Sequence, residues 1–533
     1  MKQGLQLATL CALLAGTLAG CARLGASATD RINQAMPLAA DTQAAKAALD
    51  RLAVALDTRV PQLEAEYRAK LGSRALQCSH GYAPSIWTGD DSIRAELVDR
   101  QCFDDADDRL REWLGHQRIA LLLAAPPLRP VPERPSAVLA APAPIVEADF
   151  AERAGVALLQ TRAEYLVVDM ASGKPIHTGR HPRGSVVTGL SPNGRMFVSG
   201  SGDDAEIRES ASGDLLATFD DVRAYQLYWA SDVGAYYMAQ SGRTPMFFDF
   251  AAARATSIPM SPSMLDHVAP LSGAAPRHAL VGFNRIAVVE LRREPQGWLP
   301  VLSTEIHVSG DSWARNTTGL TADRSALYGI GRDLKLVDTA TAKVRSLSFE
   351  PMRLQRAVAT PDADKLLLCG FYRDAPGVGS DCFVYSIGQR SAAQVTAREV
   401  RSSRLAYIPS LRRNAIIDRM KVMLLDPPAT GVAEPVGAYL ARRSDESVAI
   451  ARIRGQIPAE THEVVDAATA RAAMLARIEA GNPGMVSLSP LPASTSSSVQ
   501  ALAPLVAHPD PADGADGDAI DRGGESDDRS GPG

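Results

Sequence analysis

Chemistry in this chain starts with cysteine. Six are present, and four of them, Cys78, Cys102, Cys369 and Cys382, lie well inside the sequence. In an oxidising compartment these would form disulfides, and four cysteines allow three pairings. Proximity favours Cys78 with Cys102 and Cys369 with Cys382. Metal binding is the other use, but neither pair has C-x-x-C spacing and no histidine cluster accompanies them. His177 and His181, in "IHTGRHP", lack a third ligand and read as surface polar residues. Asp104, Asp105, Asp107 and Asp108 read as a helix start, where acidic side chains suit free amides and the helix dipole, rather than as metal ligands. Five tryptophans are scattered at positions 87, 113, 229, 298 and 313. No G-x-S-x-G elbow, H-E-x-x-H helix or phosphate loop occurs, so no catalytic residue, cofactor or metal is assigned.

Charge supplies the other chemical feature. Between positions 390 and 421 eight basic residues stand against Glu399 and Asp418, and Arg442 and Arg443 follow. One reading is a solvated surface with routine salt bridges. The sharper one makes Arg398, Arg401 and Arg404 a docking patch for an anionic partner, an envelope protein or a glycan. The net charge of −5 is mild, and the concentrated basic face of a nucleic-acid binder is missing.

The ends of the chain suggest an address. "MKQGLQLATLCALLAGTLAGC" has a charged start, a short apolar run and small residues before Cys21, which together form a secretory signal. Leu18-Ala19-Gly20-Cys21 resembles the bacterial lipobox, which implies that Cys21 becomes the lipidated first residue of the mature protein. Ala22 stands where an Asp is associated with inner-membrane retention in sorted lipoproteins. That resemblance implies an outer-membrane lipoprotein anchored by lipid and facing the periplasm. At the other end, residues 481–533 are rich in Ser, Pro, Gly and Asp and read as a disordered acidic tail.

The elements between are legible as a repeat. "LSPNGRMFVSGSGDDAEIRESASGDLLATF", residues 190–219, alternates turns with short strands, and the third strand ends at Glu209. Comparable strand ends recur at Asp169, Asp249, Glu290, Asp338, Ser386, Asp426 and Asp466, at steps of 40, 40, 41, 48, 48, 40 and 40 residues along the series. A period near forty with turns in register is the signature of a β-propeller of four-stranded blades. Eight blades are counted; seven is the alternative if "VVDAATARAAMLARIEA" is an Ala-rich helix. Segments such as "LVVDMASGKPI" resemble WD-repeat, YVTN and quinoprotein-like propellers, although no blade ends in Trp-Asp. The Trp-docking motif of quinone-binding propellers is not repeated here.

The domain reading is therefore a signal over 1–21, a tether and small helical module over 22–124, a proline-rich linker over 125–144, a propeller over 145–480 and the tail. The helical module should be free to move on its linker. A spacing about eight residues longer before Ser386 places "FYRDAPGVGSD" between Cys369 and Cys382, as an insertion stapled by its own disulfide. The functional expectation is a noncatalytic, protein-binding scaffold. The alternative is a propeller enzyme or small-molecule sensor using the central channel. Carboxylates or histidines on the innermost strands of several blades would favour that alternative.

Overall fold

The computed structural model describes residues 30–454, apart from 31, 35, 58–60, 79–99, 181–185, 242–243, 261–264, 274, 283, 309–317, 376–377, 396–403 and 426–429. Blade 2 shows how the local sequence builds a sheet. Its strands are Val186–Thr188, Met196–Ser201, Asp204–Glu209 and Leu215–Phe219, paired antiparallel in chain order. Between the first two, Gly194 sits at φ +71°, and a Cβ there would lie 3.1 Å from Ala154 and Val156 of blade 1. Only glycine fits both the left-handed backbone and that approach.

The recurring Asp at the end of the third strand has a physical cause as well. Asp169 Oδ1 accepts the Ala171 amide at 2.9 Å, and Asp338 Oδ1 accepts those of Ala340 and Thr341 at 2.9 and 3.0 Å. Asp249 does the same for Ala252 at 3.1 Å. The carboxylate substitutes for a backbone acceptor and closes the turn into the fourth strand. What recurs every forty residues is therefore a turn cap.

Seven such sheets occur among the described residues. Blades 1 to 5 occupy residues 147–180, 186–219, 227–257, 267–307 and 319–347; blade 6 runs over 352–394, and blade 7 supplies three strands from 404–425. Its fourth is Val138–Ala140, which pairs antiparallel with Lys421–Leu425, Leu139 opposite Val422. The chain thus closes the ring with a strand from upstream. Leu139 and Ile145 pack with Phe150, Leu159 and Val168 of blade 1 and with Ile408, Ile417 and Val422 of blade 7 in one apolar cluster. Each of the other six junctions has a cluster of its own, for instance Leu158, Val167, Val187 and Phe197 between blades 1 and 2. Blades of this kind cannot bury their faces singly, and packing in a ring buries them together.

The count of eight gives way to seven because blades 7 and 1 are already in contact. The stretch read as an eighth blade begins instead with Glu434–Pro435, a fifth strand on blade 6, and then a helix, Val436–Ile453. Asp426, Asp466 and "VVDAATARAAMLARIEA" lie outside the described residues, as do the signal and the tail.

Upstream of the ring lie α1 (Ala40–Ala55), α2 (Pro61–Cys78) and α3 (Arg100–Ala124); the helix after blade 7, Val436–Ile453, is α4. Leu49 of α1 packs on Leu110, Trp113 and Leu114 of α3, with Leu63, Tyr67 and Leu71 of α2 against them. The acidic run lies past the first turn of α3, so it does not cap it. Asp107 is buried and ion-paired with Arg74 of α2, whose Nη2 reaches its Oδ2 at 3.2 Å, and it also accepts the Ala39 amide at 2.9 Å. A burial of this kind needs a partner for every charge.

The helical module is docked on the propeller. Ile119, Leu122 and Leu123 of α3 enter the cluster between blades 2 and 3. Gly115 lets the helix press on blade 2: a Cβ there would stand 2.0 Å from the Leu216 carbonyl oxygen. The proline-rich stretch is tied down too, through Leu128 N to Asn193 O at 2.9 Å, Gly155 N to Arg129 O at 3.0 Å and Ser136 N to Met170 O at 2.7 Å. It runs along the ring and supplies the closing strand. No described helix is long and apolar enough to cross a membrane.

Candidate functional site

Antiparallel blades give the ring two distinct ends. Turns between strands 1 and 2 and between strands 3 and 4 lie at one end, called the near end here. Hairpins between strands 2 and 3 and the links to the next blade lie at the far end. The near end is crowded. Asn193, in the first turn of blade 2, donates from Nδ2 to the carbonyls of Leu122, Leu123 and Ala125 at 2.7, 3.2 and 3.1 Å, satisfying the otherwise open C-terminus of α3. Arg118 of α3 pairs with Glu209, and Gln117 donates to the carbonyls of Phe250 and Ala251 at 3.4 and 3.3 Å. The lengthened hairpin of blade 4, Arg285–Glu294 with Gly297–His307, also turns here, and the Trp298 amide binds Asp249 at 2.7 Å.

First turns also meet across the axis. Arg153 of blade 1 pairs with Asp232 of blade 3, and Glu152 of blade 1 with Arg324 of blade 5 at 3.2 Å. Beside them His278 is fully buried, held by Ser231 at 2.9 Å and Tyr236 at 3.2 Å. Burial, helped by the Arg324 charge, pushes it down to about 3.

Within the ring a cavity of about 420 Å³ is lined by the innermost strands of blades 1, 2, 3, 4 and 7. Its ionisable lining residues are Glu147, Asp149, Glu152, Asp266 and His267, with no lysine or arginine among the described ones. Glu147 and Asp149 are two apart on one strand, Glu147–Phe150, and so share a face. Asp149 accepts the amides of Leu190 at 2.6 Å and Phe150 at 2.8 Å. Burial nonetheless raises its carboxyl above the usual carboxylate range. Glu147 is raised by desolvation and then by the charge of Asp149, with Arg404 opposing. His267 is pushed down to about 4 by burial, and its ring stands edge-on to Tyr228, 6.5 Å between centroids. Phe150, Tyr225, Tyr228, Trp229 and Tyr407 form the aromatic part of the wall, Trp229 donating from Nε1 to the Gly189 carbonyl. Nothing in the spacing pointed to these residues, because they come from five blades and only ring closure brings their groups together.

Both expected disulfides are present: Cys78–Cys102 joins α2 to α3, and Cys369–Cys382 lies at the far end. The second joins directly opposed residues of the hairpin between strands 2 and 3 of blade 6, with 4.2 Å between their Cα atoms. Next to it Asp381, 4% exposed, accepts from Tyr439 at 2.8 Å, Tyr372 at 3.3 Å and Arg443 at 3.1 and 2.8 Å. Burial first, and the Asp381 charge second, hold both phenols well above their ordinary value. Arg443, grouped by sequence with the basic surface, thus anchors α4 to this hairpin. Arg404 holds the chain between the closing strand and blade 1, donating to the carbonyls of Ile145, at 2.6 Å, and Val146. Arg398 and Arg401 lie outside the described residues, with Cys21 and His181. His177 meets the Tyr165 hydroxyl at 3.3 Å. No group of three or more His, Cys, Asp or Glu is placed to hold a metal among the described residues.

No protein-family model and no curated protein matches the chain. Among solved structures, the β-propeller domain of Cps50 (Swd1) from Myceliophteria thermophila is similar at 10% identity and a TM-score of 0.41, over 55% of this chain and 99% of that one. The propeller assignment rests on the seven sheets, their order and the closing strand described above.

Proposed function

We propose that this protein is a cell-envelope lipoprotein whose propeller binds a partner as a noncatalytic scaffold. In this reading Cys21 carries the lipid, the outer membrane holds the chain on its periplasmic side, and the partner is an envelope protein or an anionic glycan. The observation that carries it is the asymmetry of the ring. Helix α3, the proline-rich stretch and the long hairpin of blade 4 gather at the near end, while the stapled hairpin and the links between blades belong to the far end. Irregular segments on a rigid scaffold are where binding concentrates. Two disulfides suit an oxidising compartment.

Arg398 and Arg401 stand in the sequence between the last strand of blade 6 and the first of blade 7. Crosslinking in the native envelope tests their role: changing both to Glu, with Arg404 left intact, should abolish recovery of the partner found with wild type. Unchanged recovery places docking elsewhere. Cys21→Ser should release the protein into the soluble periplasmic fraction; retention after a high-salt wash sinks the lipid anchor.

A second reading is favoured by one observation. Carboxylates and a histidine on the innermost strands of blades 1 and 4 give the central cavity the polar lining expected of a small-molecule site. Binding in the cavity and docking at the far end are compatible.

A further inference from the structure

We propose that the central cavity binds an organic ammonium ion, seated between the Glu147 and Asp149 carboxylates and the aromatic wall of Tyr228, Trp229 and Tyr407. The proposal deepens the small-molecule reading of the cavity and is independent of the docking face and the lipid anchor.

Three features select this class of ligand. First, the charges in the wall are of one sign. Glu152 is neutralised by Arg324, whereas Glu147 has no ion pair among the described residues, its nearest basic influence being an Arg404 already committed to two carbonyls. Two carboxylates on the same face of one strand repel, and a cation between them relieves that repulsion. An anionic ligand would meet the opposite field.

Second, the aromatic wall distinguishes an organic cation from a bare one. Tyrosine and tryptophan present electron-rich faces that attract alkylammonium groups and are worth most where water is thinned. A hard metal ion would want several oxygen or imidazole ligands converging within bonding distance, and no such group is assembled among the described residues. His267, kept neutral at ordinary pH by burial, adds no positive charge to the wall.

Third, the volume fits. About 420 Å³ lies within the range of sites for small ligands. The ion pairs Arg153–Asp232 and Glu152–Arg324 bridge the near end of the axis with protein groups, so the ligand rests against a floor rather than passing through.

The test is titration of the full chain with choline and with cadaverine, read by calorimetry and by tryptophan fluorescence, alongside citrate and glucose. Both amines should saturate, with a fluorescence change that Trp229→Phe removes. Glu147→Gln, at an exposed position, should keep the melting temperature and weaken the amines by about tenfold or more, as loss of a charged partner in a partly desolvated site does. Asp149→Asn should weaken them as well; where it also lowers the melting temperature, Glu147→Gln alone decides. Binding of citrate or glucose in preference to the amines would overturn the ammonium assignment while leaving the cavity a ligand site. No binding by any of the four, or amine affinity unchanged in Glu147→Gln, would overturn the proposal outright.

Discussion

Two segments outside the repeats are bound to the ring, one from upstream and one from downstream, in opposite ways. The upstream one substitutes. Val138–Ala140 takes the place of the missing fourth strand of blade 7, and α3 fills the junction of blades 2 and 3. The downstream one adds. Glu434–Pro435 is a fifth strand on a blade that already has four, and α4 covers that edge through Tyr439, Leu440 and the Asp381 network. A substituting element is part of the cooperative unit, since its loss opens the ring and bares a strand edge. An added element can leave with only local cost.

The strongest way to break this contrast is in the closing strand. Leu139 is 1% exposed between blades 7 and 1, and Leu139→Asp would put an unpaired carboxylate there. The expected result is loss of cooperative folding across the whole ring, seen as a vanished denaturation transition. The milder Leu139→Ala should cost about 2–5 kcal/mol. A normal transition in the Asp variant would show that the strand is dispensable.

Asp381→Ala probes the downstream side. Removing the carboxylate takes the acceptor from two buried phenols and one of the acidic partners from Arg443, which keeps Glu446, at about 1–3 kcal/mol. Because α4 can move into water, the effect should be confined: amide exchange should quicken over α4 and the blade 6 hairpin while the closing strand stays protected. Exchange quickening equally in residues 138–140 would erase the distinction between added and substituting segments.

A smaller effect is expected at the C-terminus of α3. Asn193→Ala removes three side-chain hydrogen bonds to helix carbonyls and should cost about 1–2 kcal/mol, with faster exchange at the end of α3. A loss below the error of the measurement would mean that water replaces the cap.

A pH slope is the last expectation. Burial holds His116 on α3 at about 4, and His267 and His278 at about 4 and 3. Between these values and 6.5 the unfolded chain binds protons that the folded chain refuses. Stability is therefore full above pH 6.5 and falls as the pH is lowered toward 3. Asp149 and Glu147, raised in the fold, act in the opposite sense in the carboxylate range. His116→Gln should flatten part of the slope without touching α4; an unchanged slope would place the linkage in the blades.

Much of the ring was legible because each repeat repeats its turn chemistry. The strand ends at Asp169, Glu209, Asp249, Asp338 and Ser386 close the third strands of their blades, and Glu290 lies within the third strand of blade 4. The blade count erred where spacing coincided without chemistry: Asp466 falls forty residues after Asp426, but the chain between them enters a helix, Val436–Ile453. The closing strand was hidden because three residues among prolines carry no period, and its partner lies at the far end of the repeats. Arg74 and Asp107 were invisible as a pair for a related reason, since only packing of α2 on α3 joins them. The cavity follows the same logic. Its residues are one to three positions on each of several innermost strands, and no local motif marks a site that exists only once the circle is complete.

That closing strand also sets a schedule. Translation delivers Val138–Ala140 before any blade exists, yet its partner, Lys421–Leu425, is among the last strands to emerge. Until then six blades can stack as an open stair while the first blade exposes the face that Leu139 and blade 7 will cover. Contacts so distant along the chain are slow to form, and an incomplete ring with a bare edge is the species most exposed to mispairing and proteolysis. The final act of folding is thus a single long-range search. Whatever holds the upstream segment near the ring, α3 and its asparagine cap above all, shortens that search.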